Sequence, residues 1–336
     1  MKAVAANSAL ALTLGDSACL VDIDLPEPTP GPHDLLVKVE AVSVNPLDTK
    51  MRRVPPKSGW RVLGWDAAGT VVGCGAAVSH FHIGDAVYYA GSIQRPGCNS
   101  ELHLVDERLV GPKPATLTFA AAAALPLTAI TAWESLFDRL HIARDGSDAG
   151  KRILILGGAG GVGSMAIQLA KTLAQLTVVA SASRAESRRW CLDLGADQVV
   201  DHSGDWLAPI TASGAVDYVL CLNDIDQHFE RIAQAVAAQG KICAIVDNKK
   251  PLPMEKLKAK SASFAWESMF TRSLYATADL IEQQRILASV AAAVDAGQLR
   301  STAGASAATI NAANLWDAHV RIEAGHSLGK IVLAGF

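Results

Sequence analysis

The chain has 336 residues, of which half are hydrophobic and 19% are charged, and its formal net charge is −3. This length predicts two domains rather than a single core. The composition excludes intrinsic disorder, and the small negative charge provides no positive field that would attract DNA or RNA, so nucleic acid is not expected as a partner.

Residues 1–115 are predicted to be rich in β-strands. Short apolar segments alternate there with proline and glycine, and strands are predicted at 35–44, 69–72 and 86–89. We expect them to form a partly open β-barrel. The apolar stretch from Phe119 to Trp133 has 15 residues, which is short for a helix across a hydrocarbon layer of about 30 Å. We therefore predict a core segment and no membrane as a partner.

From Lys151 onward, apolar runs alternate with helical periodicity. Runs that are apolar on both faces are typical of strands in a parallel sheet that is covered by helices on both sides. The predicted fold class is therefore α/β, with a doubly wound parallel sheet of the Rossmann type. Its strands are predicted at 153–156, 177–180, 199–200, 216–222 and 242–246.

Helix ends in this region are predicted from local signals. Ser183 and Glu186 have the spacing of a capping box that opens a helix, and Gly195 is expected to end that helix. Gly240 is expected to end the helix that follows Asp226. Beyond the α/β region, helices are predicted at 278–296 and 312–324, followed by a strand at 330–333 that returns to the first domain.

A glycine-rich loop follows the first strand of the α/β region. Gly158, Gly160 and Gly163 satisfy the pattern G-x-G-x-x-G, and an amphipathic helix begins at Gly161 and Val162. Glycines let the main chain approach a pyrophosphate, and the N–H groups at the helix start receive its negative charge. The loop predicts a dinucleotide ligand; the alternative is a glycine-rich turn without a ligand.

The end of the second strand indicates which dinucleotide is bound. An acidic residue there would bind the ribose 2′-hydroxyl of NAD(H), but the chain has no acid between Ala180 and Arg184. Ser183, Arg184 and Arg188 have side chains that can bind a 2′-phosphate. We therefore predict NADP(H); alternatively, the arginines form only the solvated face of a helix.

Cysteine and histidine spacing gives no sign of a metal site. The six cysteines are never closer than 22 residues, which excludes a CxxC zinc site and a small disulfide framework and favours a reduced, cytoplasmic protein. His80 and His82 would share one face of a strand and could bind an ion together. The alternative, an ordinary exposed pair before Gly84, is preferred because no third ligand is evident.

Six segments along the chain carry a family resemblance: the glycine loop and residues 42–50, 63–69, 84–85, 125–133 and 329–333. On these segments the chain resembles the medium-chain dehydrogenase/reductase superfamily, in its quinone-oxidoreductase branch, and in particular the zinc-type alcohol dehydrogenase-like proteins. The resemblance implies a GroES-like domain (1–120), a Rossmann domain (121–270), a C-terminal return to the first domain (271–336), a substrate cleft at the domain junction and a homodimer.

The resemblance also implies that all three catalytic zinc ligands are missing. Zinc-dependent relatives have a cysteine at the position of Asn45 and a histidine at the position of Trp65, and residues 125–128 contain no cysteine. We therefore predict no metal. Without a Lewis acid, reduction of quinones or α,β-unsaturated carbonyls by NADPH is favoured over alcohol oxidation. The alternatives are an alcohol or aldehyde dehydrogenase with unusual zinc ligands, and an NADPH-binding protein without catalysis.

Site residues follow from the resemblance. Asn45 is expected to donate to the acceptor oxygen, or else to cap a turn, while Lys50 is a candidate proton donor and Asp48 a residue that holds the loop. Thr131 is expected near the nicotinamide carboxamide, or else to bond through its hydroxyl to its own helix. Lys330 is expected at a cofactor phosphate, or else to be a solvent-exposed lysine. Four aromatic residues are either walls of a flat substrate pocket or core residues: Trp65, Tyr89, Trp266 and Phe270.

Overall fold

The computed structural model describes residues 1–7, 19–54, 59–304, 308–325 and 327–336. The chain divides into two compact units. The barrel unit consists of Met1–Ile130 together with Phe270–Phe336, and the Rossmann unit consists of Thr131–Met269. The first boundary therefore lies after residue 130, later than the predicted position at residue 120.

The strands of the described part of the chain contain mostly β-branched and apolar residues, as strand propensity requires. They are β1 (Lys2–Asn7), β2 (Leu20–Asp24), β3 (Asp34–Val44), β4 (Trp60–Val62), β5 (Ala67–Cys74), β6 (Ala86–Tyr89), β7 (Leu102–Asp106), β8 (Val110–Pro112), β9 (Arg152–Leu156), β10 (Thr177–Ser181), β11 (Gln198–Val200), β12 (Val216–Cys221), β13 (Val236–Ala244), β14 (Ser263–Trp266) and β15 (Ile331–Ala334).

The α-helices of the same residues vary from a single turn to about four turns. They are α1 (Pro46–Arg52), α2 (Phe119–Ala123), α3 (Pro126–Trp133), α4 (Gly161–Thr172), α5 (Ala185–Asp193), α6 (Leu207–Ala212), α7 (Ile225–Ala235), α8 (Thr271–Tyr275), α9 (Glu282–Asp295) and α10 (Ala312–Glu323). A π-helix covers Glu134–Arg139, and 3-10 helices cover Glu107–Leu109 and Met254–Lys260.

The barrel unit is built from antiparallel strands. One sheet has the order β15-β3-β5-β6-β8, with β7 also paired to β3, and a smaller sheet has the order β2-β1-β4. Alternate residues of β3 face the core, and Leu35, Val37 and Val39 are buried. Strand β15 pairs with the end of β3, with Ile331 opposite Val44. This pairing brings the C-terminal part of the chain next to the loop that follows β3.

The Rossmann unit contains a six-stranded sheet with the order β11-β10-β9-β12-β13-β14, and every paired strand in it is parallel. Residues 153–156 of β9 are fully buried, as expected for a central strand that is covered on both faces. Together with the antiparallel sheets of the barrel unit, this parallel sheet confirms the predicted α/β fold class. Helix α4 begins at the carboxyl end of β9, where the glycine loop lies.

Three local predictions are corrected by the structure. The helix predicted to open at Ser183 begins at Ala185; its N-cap is Arg184, whose N–H donates to Ser187 Oγ at 3.2 Å, so Ser187 rather than Glu186 completes the cap. Gly240 does not end a helix, because α7 stops at Ala235 and Gly240 lies within β13.

The third correction concerns only the length of the apolar stretch after residue 118, since its prediction as a core segment is confirmed by its burial. It belongs to a helical segment of 21 residues, Phe119–Arg139, which is long and apolar enough to cross a membrane by length and composition. Of its most apolar window, 78% is buried inside the protein. A buried position of this kind is typical of a core helix, which meets the same criteria of length and composition.

Candidate functional site

The loop after β3 places Asn45 at the start of α1. Asn45 has extended backbone angles and is followed by Pro46 at the first helical position, where proline is favoured because no N–H partner is needed. The backbone N–H of Asn45 donates to Asp48 Oδ2 at 2.7 Å. The turn is therefore held by the side chain of Asp48, which leaves the Asn45 amide for other contacts.

A buried lysine lies beside this loop. Lys330, just before β15, is 3% exposed, and its Nζ donates to Val44 O at 2.7 Å and to Asn45 Oδ1. It also forms an ion pair with Asp66 Oδ2 at 3.0 Å. An ammonium has three N–H donors, and here each has an acceptor. We call Asn45, Asp48, Asp66 and Lys330 the lysine cluster.

The lysine cluster uses the polar atoms of the Asn45 side chain. Its Nδ2 donates to Asp66 Oδ2 at 2.9 Å and lies 3.5 Å from Ser43 O, and the residue is 1% exposed. The structure places Asn45 at the N-cap of α1, in agreement with its alternative role of capping a turn, and its donation to an acceptor oxygen stays a prediction. The contact of Lys330 with a cofactor phosphate also stays a prediction, whereas its alternative as an exposed lysine is wrong because the residue is buried.

Burial shifts the two carboxyl groups of the cluster. It raises the pKa of Asp48 to about 7, against the opposing effects of the Asn45 N–H and Lys330, and it raises the pKa of Asp66 as well. Asp48 Oδ1 has no hydrogen-bond partner among the described residues. Protonation of Asp48 removes one negative charge from this buried cluster, which is the physical reason that burial favours the neutral form of the carboxyl group.

The remaining predicted residues of the barrel unit differ in exposure. Lys50 is exposed on the last turn of α1. Trp65 is buried and its indole N–H donates to Ser92 O at 3.3 Å, while Tyr89 is buried and stacks on His103. Phe270 is 8% exposed. Trp65 and Tyr89 are therefore core residues rather than walls of an open pocket.

The positions that correspond to zinc ligands in relatives do not suit a metal. The Asn45 amide is bonded to Lys330 and Asp66, and a Trp65 side chain cannot coordinate zinc. Cys98 is buried, its Sγ donates to Asp66 O, and burial raises its thiol pKa well above the usual value. Residues 1–7, 19–54, 59–304, 308–325 and 327–336 contain no group of three or more His, Cys, Asp or Glu that could hold a metal ion.

His80 and His82 do not form a pair on a strand. Both are exposed and lie in the loop between β5 and β6. The backbone N–H of His82 donates to Asp85 Oδ2 at 2.8 Å, which is a contact of a surface turn.

The glycines of the loop in the Rossmann unit have different reasons to lack a side chain. A Cβ on Gly163 would lie 2.4 Å from Gly157 O, and one on Gly158 would lie 2.9 Å from the Ala180 Cβ, so packing excludes a side chain at both. Gly160 is exposed, and the nearest atom to its Cβ position is 3.6 Å away. Packing therefore does not require a glycine at position 160. A ligand that approached the main chain closely at this point would require one.

A second feature of the loop also suits a cofactor. Asn223 follows β12, and its Oδ1 is buried without a hydrogen-bond partner among the described residues. It lies 3.7 Å from the position that a Cβ on Gly157 would take. An unpaired polar atom at the carboxyl end of parallel strands, beside a glycine loop, fits a ligand that binds there.

The predicted 2′-phosphate residues lie at the carboxyl end of β10. Ser183 is exposed, while Arg184 and Arg188 are partly buried. Arg188 Nη2 donates to Val199 O at 3.0 Å, so part of this guanidinium is bound to the backbone. In the same unit, Thr131 is buried on α3 and Trp266 on β14 is 45% exposed.

Sequence reasoning missed Asp66. Asp66 belongs to the segment 63–69 that carries the family resemblance, but no role was predicted for it. A carboxylate within an apolar run indicates a buried acid that needs a cationic partner. In the structure Asp66 Oδ1 accepts the Leu127 N–H at 2.7 Å, and Oδ2 contacts Lys330 and Asn45. Asp66 thereby holds the cluster together from its centre.

Comparison with known proteins shows similarity along the whole chain. Residues 31–122 match the family described as "Alcohol dehydrogenase GroES-like domain", and residues 194–333 match the family described as "Zinc-binding dehydrogenase". A "Zinc-type alcohol dehydrogenase-like protein" of Staphylococcus epidermidis is 38% identical over 336 residues, which cover 99% of this chain and 99% of that protein.

Two solved structures are also similar. A protein from Rhizobium etli, classed with zinc-dependent alcohol dehydrogenases, has 49% sequence identity and a TM-score of 0.95, covering 100% of this chain and 98% of that chain. The quinone oxidoreductase from Coxiella burnetii has 26% identity and a TM-score of 0.82, covering 100% of this chain and 99% of that chain.

Proposed function

Since the chain belongs to the medium-chain dehydrogenase/reductase superfamily and is an oxidoreductase of that family, we propose that it transfers hydride from NADPH to a quinone or an α,β-unsaturated carbonyl without using zinc. The observation that carries this proposal is the lysine cluster. At the position where zinc-dependent relatives have a cysteine, Asn45 is bonded to a buried ammonium and a buried carboxylate.

The glycine loop supports the choice of a dinucleotide. Gly160 is exposed and open on the side where a side chain would stand, and the backbone N–H groups at the start of α4 carry partial positive charge. The absence of an acid between Ala180 and Arg184 favours NADPH over NADH, because no carboxylate repels a 2′-phosphate there. Bound NADPH would supply the hydride.

The proposed acceptors can be reduced without the help of a Lewis acid. Hydride delivered to a conjugated acceptor produces a delocalised anion, which hydrogen-bond donors can stabilise. An alcohol, in contrast, passes through a localised alkoxide that zinc normally stabilises. The similarity to the quinone oxidoreductase of Coxiella burnetii supports the same class of acceptor.

Within the barrel unit, we assign positioning roles to the buried residues and a proton-transfer role to an exposed one. Asp48 binds the backbone of Asn45 and so holds the loop at the start of α1. Lys50, exposed on the same helix, is the proposed proton donor.

The role of Lys50 is tested by substitution. Lys50→Gln should lower kcat about a hundredfold, while the Kd for NADPH stays unchanged. The control is Lys38→Gln, which changes an exposed lysine on β3. An unchanged kcat would assign the proton to solvent instead.

Two further features of the proposal concern assembly and location. Strand β14 is at the edge of the Rossmann sheet, and Trp266 on it is exposed. An edge strand can pair with that of another copy, which supports a homodimer. No disulfide joins the cysteines of the described residues, which supports a reducing, cytoplasmic location.

A zinc-dependent alcohol dehydrogenase is the second candidate, and the class of the Rhizobium etli protein favours it. The experiment that separates the two follows NADPH oxidation with a panel of 1,4-benzoquinones and enones, and NADP⁺ reduction with primary and secondary alcohols, each with and without a zinc chelator. Chelator-resistant reduction of quinones or enones supports our proposal. Chelator-sensitive oxidation of alcohols would support the zinc enzyme, and tight NADPH binding without any turnover would indicate a binding protein.

A further inference from the structure

The short helix α1 is held at both ends by buried charged groups. It has seven residues, Pro46–Arg52, and an isolated helix of two turns is not stable in water. Its start is fixed by Asp48 and by the lysine cluster. Lys50, the proposed proton donor, lies between this start and Arg52 at the last position of the helix. The contacts of Arg52 therefore decide how firmly the part of α1 that carries Lys50 is held.

Arg52 is buried against helix α10. Its side chain is 3% exposed, and its Nη2 donates to Glu323 Oε1 at 2.9 Å and to Oε2 at 3.2 Å. The guanidinium carbon lies 4.5 Å from the centroid of the Trp316 ring, a distance at which a cation and an aromatic face attract each other. Both contacts depend on the planar guanidinium group, which a lysine does not reproduce.

A third contact of Arg52 is with His319 on the same helix. Arg52 Nη1 lies 3.3 Å from His319 Nδ1. Because a guanidinium group can only donate, Nδ1 accepts, and the ring carries its proton on Nε2. Burial and the charge of Arg52 lower the pKa of His319 to about 3, so the ring is neutral at neutral pH and remains an acceptor. We call Arg52, Trp316, His319 and Glu323 the arginine cluster.

Helix α10 provides a fixed surface for Arg52. Trp316, His319 and Glu323 are spaced by three and four residues, which places them on one face of the helix. The first turn of α10 is fixed to β2, since the Ala312 N–H donates to Asp22 Oδ1 at 2.9 Å. A helix that is anchored to the barrel in this way can hold the end of α1.

We infer that Arg52 is a positioning residue of the proposed reaction, which holds α1 against α10 so that Lys50 keeps the orientation needed for proton transfer. This inference rests on the proposed function, because it assumes that Lys50 is the proton donor. Proton transfer requires the donor within hydrogen-bond distance of the reacting atom, and a displacement of about 1 Å can lower the rate about a hundredfold. Arg52 acts through the helix that carries Lys50.

The test removes the charge of Glu323 and leaves its shape. Glu323→Gln should lower kcat for NADPH oxidation with a 1,4-benzoquinone about tenfold, with the Kd for NADPH unchanged because the glycine loop lies in the Rossmann unit. Arg52→Lys should have an effect of the same size, since lysine keeps the charge but not the planar group. The matched control is Glu282→Gln, which breaks an exposed pair with Arg285 on α9 of the barrel unit and should keep kcat.

A double-variant cycle separates positioning from a general loss of structure. If the arginine cluster acts through Lys50, Glu323→Gln should cause no further loss of kcat in a Lys50→Gln background, because no proton donor is left to orient. A merely structural role would lower kcat by the same factor in both backgrounds, and that result would overturn the inference. Urea titration of each variant checks that the samples compared are folded.

The outcomes also separate the inference from the function on which it rests. If Lys50→Gln lowers kcat while Glu323→Gln and Arg52→Lys both keep the wild-type value, the inference is overturned and the proposed function stands. If Lys50→Gln keeps kcat, the proposed proton donor and the inference both fail, and if no quinone or enone is reduced, the proposed reaction fails with them. If Arg52→Lys does not fold, Glu323→Gln decides the question alone, because Glu323 is partly exposed and glutamine has the same shape.

Discussion

Replacing Lys330 by methionine removes the ammonium that is bonded to Val44 O, Asn45 Oδ1 and Asp66. Methionine fills a similar volume, so the main consequence is electrostatic. Asp66 is fully buried and would retain its charge without a cation, or would take up a proton. Removing one member of a buried ion pair costs about 3–5 kcal/mol of stability.

The cost of protonating Asp66 gives a second figure. At pH 7, neutralising a carboxyl group with an unfolded pKa of about 3.9 costs about 4 kcal/mol, at about 1.36 kcal/mol per pH unit. The two estimates of the loss in the free energy of unfolding agree. The folded pKa of Asp66 in the variant is raised above its unfolded value, so the penalty is absent below that unfolded value and grows as the pH rises. Near pH 5 it should fall to about 1–2 kcal/mol.

Urea titration, with linear extrapolation of the free energy of unfolding, measures this cost. The matched control is Lys38→Met, which breaks an exposed pair with Glu40 on β3 at 3.1 Å; such pairs contribute about 0–1 kcal/mol. The double variant Lys330→Met with Asp66→Asn should recover part of the loss, because no unpaired charge remains. If Lys330→Met is as stable as Lys38→Met at pH 7, the assigned ion pair is refuted.

Three further predictions concern the acid of the cluster and the cofactor loop. Burial raises the pKa of Asp48 to about 7. The contribution of Asp48 to the free energy of unfolding is therefore full below the unfolded pKa of about 3.9 and is lost as the pH rises to about 7. Asp48→Asn should reduce the dependence of the free energy of unfolding on pH in urea titrations, and an unchanged dependence would contradict the raised pKa. Gly163→Ala should destabilise the fold, whereas Gly160→Ala should keep the melting temperature and weaken NADPH binding, as calorimetry would show; equal effects would refute the distinction. Arg184→Ala should lower the NADPH-to-NADH affinity ratio in fluorescence titrations, and an unchanged ratio would leave Arg184 as a surface residue.

Periodicity predicted the central strands of the fold well because their physical requirement is local. A strand that is buried on both faces must be apolar at every position, and residues 153–156 show this directly. Gly240 was misread because a glycine near the end of a helical pattern is typical of a C-cap. In the structure its Cβ would lie 2.5 Å from the Val236 side chain and 3.0 Å from Asp217 O, so tight packing within the sheet requires the glycine.

The lysine cluster was not predictable from local patterns. Lys330 and Asn45 are 285 residues apart, and they meet only because β15 pairs with the end of β3 in a register that places Ile331 opposite Val44. The resemblance identified Asn45 and Lys330 as residues of interest, but it assigned to each an external partner. In the structure both side chains are buried and bonded to each other, because a buried ammonium must have acceptors close by.

The cofactor loop was more accessible to sequence reasoning, since strand, glycine pattern and helix are contiguous in the chain. The contact between Ser181 Oγ and His202 was not predictable from the sequence, because it depends on the pairing of β10 with β11. Sequence patterns identify the residues at the end of one strand. Which strand ends lie next to each other depends on the strand order of the sheet, which the patterns do not give.

The most direct test of the account relates catalysis to bound zinc. Samples of the protein that differ in zinc content, each quantified by mass spectrometry, would be assayed for NADPH oxidation with a 1,4-benzoquinone. The account predicts the same rate per chain at every zinc content, including samples from which zinc has been removed. A rate that rises in proportion to bound zinc, and disappears with it, would contradict hydride transfer on a metal-free scaffold.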